Sequence, residues 1–147
     1  MLKIPVADEE VLYRCVKHGR NLKKKQPDGT FRLSGQAFAD PYNRPSVNRA
    51  MLCDNDPKST QFEPEDGVVS LLAHDVRLTD SVVQKDKERI VKSFQVDVEH
   101  VPEPKNYSHA EIFIDPESHS KGVILKFIER LAYLANQRTW EIEMENA

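Results

Sequence analysis

The sequence is poor in the residues from which simple functional signatures are built. Its 147 residues include two cysteines, one tryptophan and five glycines. Cys15 and Cys53 stand 38 positions apart, which fits neither zinc-ligand spacing nor a Cys-x-x-Cys redox pair. Neither GxxxxGK[ST] nor GxGxxG occurs, and so few glycines leave little room for a phosphate-cradling nest of backbone amides. No run approaches the ~20 apolar residues of a membrane-spanning helix, and the opening MLKIPVADEE lacks the apolar core of a signal peptide. These absences predict a soluble, cytoplasmic domain with reduced thiols, no membrane partner and no cofactor.

The length fits one domain over residues 1–147, large enough to bury a core without a metal or disulfide. Hydrophobic residues make up 39% and charged residues 31%, which argues against disorder. The net charge of −3 hides an asymmetry. Residues 1–60 carry 11 Lys and Arg against 7 Asp and Glu, whereas residues 61–147 carry 10 against 17. The basic excess lies in Arg14, Lys17, Arg20, Lys23, Lys24, Lys25 and Arg32. Lys23, Lys24, Lys25 and Arg32 are the candidate anion-binding set, since such a stripe neutralises phosphates. The alternative is a solvated loop, because the lysine triplet runs into the turn signal Pro27-Asp28-Gly29. Proline punctuates the rest, at Pro41, Pro45, Pro57, Pro64, Pro102 and Pro104.

Residues 11–16 alternate as a strand, with Val11, Tyr13 and Cys15 on one face and Leu12, Arg14 and Val16 on the other. Phe31 to Leu33 is expected to pair with it after the Pro-Asp-Gly turn. Ser46 reads as the N-cap of a short helix through Cys53. The run GVVSLLA at 67–73 reads as a central strand covered on both faces, and residues 74–78 as one helical turn. Residues 80–91 are ambiguous. Phe94, Val96, Val98 and His100 alternate with polar residues, as do Ala110, Ile112 and Ile114, so the two segments form a hairpin. Its register places Ala110 with His100, and His109 on the opposite face near Glu111 and Glu99.

The last element is a helix of about five turns ending near Arg138, its start signalled by Asp115-Pro116-Glu117, with Ser118 and Ser120 as alternative caps. From Val123, the residues Ile124, Phe127, Ile128, Leu131, Leu134 and Ala135 fill an arc of roughly 140°. Trp140 is placed to clamp this helix, and the acidic tail from 141 is expected to fray. The fold expected is a single α+β domain, with a mostly antiparallel sheet packed by the long C-terminal helix.

The chemistry is sparse. Five histidines, His18, His74, His100, His109 and His119, form none of the usual metal spacings, so no metal site is expected. His109, among acidic neighbours, is a candidate general acid or base, or a strand-end histidine satisfied by Glu111 or a loop carbonyl. Cys15 and Cys53 both read as buried rather than nucleophilic. Ser34, in RLSGQAF, offers an exposed hydroxyl at a Gly35 turn or a helix cap, the cap being the preferred reading. Arg14 is a candidate phosphate fork, or the partner of an acid from the C-terminal half. Arg14, Ser34 and His109 are therefore the candidate catalytic set.

The segments LYR at 12–14, RLSGQAF at 32–38, RPSVNRAML at 44–52, GVVSL at 67–71 and PEPKNYSHAEI at 102–112 together resemble a pattern of small bacterial proteins. The resemblance implies a free-standing bacterial domain and transfers no catalytic residue. A looser likeness sets Arg14 and Ser34 against the NAD-holding arginine and serine of ADP-ribosyltransferase-type folds, but no matching catalytic glutamate is in place. Two functions follow as expectations. The first is a non-catalytic binding or regulatory module working with a protein partner or as a homo-oligomer, its opposite-sign halves driving association. The second is an enzyme acting on a nucleotide or nucleic acid through Arg14, Ser34 and His109, with His18 as the alternative to Ser34 for orienting substrate, which requires those residues to share a cleft. Nucleic-acid binding through the basic stripe alone ranks below both, because aromatics are scarce there and the pI is near 6.0.

Overall fold

The computed structural model describes residues 1–20, 22–29, 31–78, 84–85, 91–92, 95–115 and 120–144. The expectations for His119 and Phe94, and most of those for 80–91, lie outside them. Strands β1 (Val11–Val16), β4 (Ser46–Arg49), β5 (Gly67–Leu72), β8 (Val96–His100) and β9 (His109–Ile114) form one antiparallel sheet in the order β5-β1-β4-β9-β8. Two ribbons stand apart from it: β2 (Lys23–Lys25) with β3 (Phe31–Leu33), and β6 (Gln84–Lys85) with β7 (Val91–Lys92). Helix α1 (Ala73–Arg77) continues directly from β5, and α2 (Lys121–Asn136) closes the fold. This is the expected α+β domain.

Alternation divides the sheet into two unlike faces. Leu12, Val16, Val47, Val98, Ala110 and Ile112 point to one side and are buried under α2, which contributes Val123, Phe127, Ile128, Leu131, Ala132 and Ala135. Burying a side chain such as Leu131 contributes about 1.5–3 kcal/mol, so this face supplies most of the stability. The other face carries Tyr13, Asn48, Ser70, His109 and Glu111, which is mostly polar. The β8–β9 register places His100 opposite Ala110, as the burial pattern required.

Several local expectations are corrected. β3 pairs with β2 rather than β1, because Gly29 (φ +88°) and its hydrogen bond to the Gln26 carbonyl make a tight turn that joins immediate neighbours. Both edges of β1 are in any case taken by β4 and β5. Residues 46–49 form a strand, not a helix: Val47 enters the core opposite Ala110, and only Ala50–Leu52 coils, as a 3-10 turn. β5 is buried on both faces as expected, yet it is an edge strand.

That edge is partly closed by the tail, which does not fray over its described part. Val68 exchanges main-chain hydrogen bonds with Glu141 and Ile142, and Met144 is 2% exposed. Trp140 packs over Gly67, where a Cβ would stand 2.5 Å from its ring. Pairing along β5 thus anchors an acidic segment whose composition alone favours solvent. Helix α2 is capped by Ser120, one of the expected alternatives, whose hydroxyl accepts from Val123 N (3.3 Å), and it ends at Asn136; Pro116, Glu117 and Ser118 lie outside the described residues.

The N-terminal segment is tied down by a buried ion pair. Arg49, 1% exposed, donates from Nε and Nη2 to the two Glu10 carboxylate oxygens, each at 2.7 Å. Its remaining donors reach the Ile4 and Pro5 carbonyls. Among the described residues no helix is long and apolar enough to cross a membrane.

Candidate functional site

The polar face of the sheet is roofed by two loops. One is the 3-10 turn Pro57–Thr60 and its continuation through Phe62; the other is the β8–β9 connection at 103–106. Between them lies a pocket of about 580 Å³, floored by Tyr13, Cys15, Asn48 and His109 and walled by Arg14, Lys17, Ser46 and Phe62. Arg14 and His109 both line this pocket, His109 from the polar face and Arg14 from the α2 face of β1 through the gap beside Ser46, so two of the three residues of the enzyme expectation meet here. Ser34 does not join them. Its hydroxyl accepts from Gln36 N (3.2 Å) and caps Gly35–Phe38, the cap reading preferred for it, beside a separate cavity of about 270 Å³ near Lys24, Arg32 and Glu129.

Arg14 occupies the gap where β1 and β4 part. Their ladder comprises Leu12↔Arg49 and Tyr13↔Asn48. Beyond it, the Arg14 guanidinium bridges the strands, donating from Nη1 to Ser46 O (2.9 Å) and from Nε to Ala37 O (3.0 Å), with its Cζ 5.7 Å from the Phe38 ring centre. Among the described residues no carboxylate pairs with it. Its expected acid partner is replaced by main-chain carbonyls, and the nearby Asp40 carboxylate is committed to Tyr42 N (2.9 Å) and Arg44 N (3.0 Å). Burial lowers the Arg14 pKa, an effect that Asp40 opposes at longer range. A guanidinium remains charged under such conditions, so the pocket contains a cation without a full counter-charge.

His109 has both ring nitrogens engaged. Nδ1 lies 2.7 Å from Val101 O, which only accepts, so Nδ1 carries the proton. Nε2 then presents its lone pair to the Ser46 hydroxyl, 3.2 Å away on the diagonal of the β4–β9 ladder. The nearest acid is Glu103, 3.8 Å from Nδ1, rather than Glu111 or Glu99. Those two are drawn off by Arg44, which donates to Glu111 (2.6 Å) and Glu99 (2.7 Å). Beside His109, Asn106 donates to Asn48 (2.8 Å), Asn48 to Thr60 (3.0 Å) and Ser108 to Asn106 (2.6 Å). Among the described residues, every buried side-chain polar atom has a partner.

No family model, curated protein or solved structure matches this chain. The site is therefore read from its own residues.

The remaining candidates are dispersed. Lys23 donates to Met144 O (3.2 Å), while Lys24, Lys25 and Arg32 are exposed on the ribbon. Lys24 pairs with Arg32 on one face of that ribbon, so the triplet does not act as one cluster. His100 and His109 face opposite ways. His100 accepts from Ile4 N (3.0 Å) at Nδ1 and contacts Tyr107 O (2.7 Å) at Nε2, which makes it a structural histidine. Cys15 contacts Asp66 (3.5 Å), and burial pushes its thiol up to about 11, so it is no nucleophile at neutral pH. Cys53 lies against the Arg49 and Ala50 carbonyls.

A second cluster escaped the sequence reading. Burial raises the pKa of Asp66, but hydrogen bonds from the His18 ring (2.6 Å), His18 N (3.1 Å), Glu63 N (3.0 Å) and Cys15 hold it well below the usual carboxylate range. The same Asp66 hydrogen bond raises His18, whose Nε2 lies 3.3 Å from Glu63. His18, Glu63 and Glu65 bring ligand atoms within 4.8 Å of one another. Their donors come from loops some 45 positions apart, so no local spacing rule reaches them.

Proposed function

We propose that the pocket on the polar face binds a phosphate-bearing small molecule of the nucleotide class, with Arg14 as the anion anchor. The observation that carries this reading is the Arg14 guanidinium, held by two carbonyls beside the pocket and lacking a carboxylate partner among the described residues. Arg14 is half-buried, and partial loss of water around a cation without a paired carboxylate carries a cost that an anionic ligand offsets. Lys17 adds a second cation. It lies 5.0 Å from the centre of the Phe62 ring, although Asp66 at 3.7 Å shares its charge. Phe62 is 77% exposed and offers a face on which a base stacks. Ser59, Thr60 and Gln61 place polar atoms along the same wall.

Titration calorimetry with AMP, ADP and pyrophosphate tests the reading. Binding is expected for the wild type and should weaken at least tenfold in Arg14→Met. Equal affinities in the two proteins would remove Arg14 from the site.

The broader setting proposed is a bacterial cytoplasmic domain that contacts a protein partner or a second copy of itself through the basic ribbon. This reading is favoured by the exposed Lys24, Lys25 and Arg32 on a two-stranded element that stands outside the main sheet. Lys24→Glu with Lys25→Glu should weaken self-association in sedimentation velocity, or capture of an acidic partner, without a change in melting temperature. Lys23 is unsuitable for that test because it supports the tail.

A further inference from the structure

We propose that Ser46 is a nucleophile activated by His109, and that the pocket hydrolyses a carboxylic ester bearing an anionic group. Three features of the geometry carry this. First, the Val101 carbonyl fixes the His109 tautomer, so Nε2 faces the Ser46 hydroxyl as a base and not as a donor. Second, the two partners differ in exposure as such a pair needs. His109 is buried and oriented by main chain, whereas Ser46 is exposed and lines the pocket. Third, positive charge developing on His109 is met by Val101 O at 2.7 Å and the Glu103 carboxylate at 3.8 Å. A nucleophile within reach of a base that is itself oriented by a third group is the general arrangement for covalent catalysis. The 3.2 Å separation is at the loose end of the range for such a pair without substrate.

The step balances without any group beyond ester and water. Ser46 Oγ bonds to the ester carbonyl carbon while its proton passes to His109 Nε2, and the carbonyl electron pair moves onto oxygen. Collapse of that intermediate breaks the bond to the alcohol, which leaves with the proton from Nε2. Water then attacks the acyl-serine and gives a proton to Nε2. The acid is released, and Ser46 Oγ recovers its proton. Arg14 donates to the Ser46 main-chain carbonyl at 2.9 Å and so sets a fixed positive charge beside the nucleophile's backbone. Val101 and Glu103 are positioning residues that act through His109.

The proposal deepens the anion-site reading and rests on it for the role of Arg14 and for the anionic substrate. The test is incubation of the full chain with 4-nitrophenyl acetate and with a fluorophosphonate probe, read by intact mass and peptide mapping. The expected result is one covalent adduct, located on Ser46, with a stoichiometric burst of 4-nitrophenol. Ser46→Ala should abolish both; Ser46 is exposed, so this variant is expected to fold. His109→Gln should slow labelling about 100-fold. An unmodified chain under excess probe, an adduct elsewhere, or equal labelling in His109→Gln overturns the proposal. AMP titration of the wild type separates the two readings, since anion binding without acylation removes the nucleophile and leaves the anion site standing.

Discussion

Removing the Glu10 carboxylate should destabilise the protein far more than an ordinary surface ion pair would. Glu10 is 7% exposed and neutralises Arg49, at 1%, through two hydrogen bonds of 2.7 Å. In Glu10→Ala the guanidinium keeps only the Ile4 and Pro5 carbonyls, and Ala7 N loses its 2.7 Å partner. Breaking one side of a buried pair costs about 3–5 kcal/mol, because the orphaned charge remains desolvated. For a chain of this size that lowers the melting temperature by roughly 10 °C. Replacing both partners with apolar residues, Glu10→Leu with Arg49→Met, removes the orphan and should cost much less than the two single changes together. A coupling energy above about 2 kcal/mol is expected from a urea-denaturation cycle followed by circular dichroism. A cost below about 1 kcal/mol for Glu10→Ala, or additive single changes, would mean that the buried Arg49 charge does not depend on Glu10.

Three further outcomes follow from the same geometry. Gly67→Ala drives a Cβ to 2.5 Å from Trp140 and 2.9 Å from Met144, so it should expel the tail, shift Trp140 fluorescence to the red and cost about 1–3 kcal/mol. Asp66 is depressed, so its contribution to folding is present above about pH 4 and is lost as the pH falls through its folded value; His18 is raised, so its contribution is full below about pH 6.5 and is lost as the pH rises through its folded value. Urea midpoints should therefore decline on the alkaline side, and His18→Gln should flatten that decline. Cys15, with its thiol near 11, should react with iodoacetamide at pH 8 about 100-fold more slowly than a small free thiol, as read by mass spectrometry of the Cys15 peptide.

The parts of the fold that were legible in the sequence are those where one physical pattern dominates. The alternation at 96–100 and 110–114 fixed both the hairpin and its register, because a one-residue slip would bury the acids. The stripe of Val123, Phe127 and Leu131 likewise marked a helix lying on a sheet. Residues 46–49 were misread because Pro45-Ser46 offers local helix-start chemistry, while the decisive pairing of Val47 with Ala110 lies 63 positions away. The tail was misread for the same reason, its acidity being local and its pairing with Val68 distant.

Arg14 and His109 were identifiable by residue type, but their convergence depends on the order β1-β4-β9, which no local signal states. Ser34 serves as the cap preferred for it, whereas Ser46, read as a cap, faces His109. The place of Ser46 depends on the correct assignment of β4. Once that strand lies between β1 and β9, its first residue comes within reach of the histidine two positions along the diagonal.

The proposed anion site depends on Arg14 as the anchor of a ligand in the pocket beside His109. The most direct measurement is calorimetric titration of AMP into the wild type and Arg14→Met at low salt, repeated at high salt. Saturable one-site binding to the wild type is expected, weakening with salt and falling at least tenfold in the variant. Unchanged affinity in a folded Arg14→Met protein, or no binding of AMP, ADP or pyrophosphate to the wild type, would contradict it.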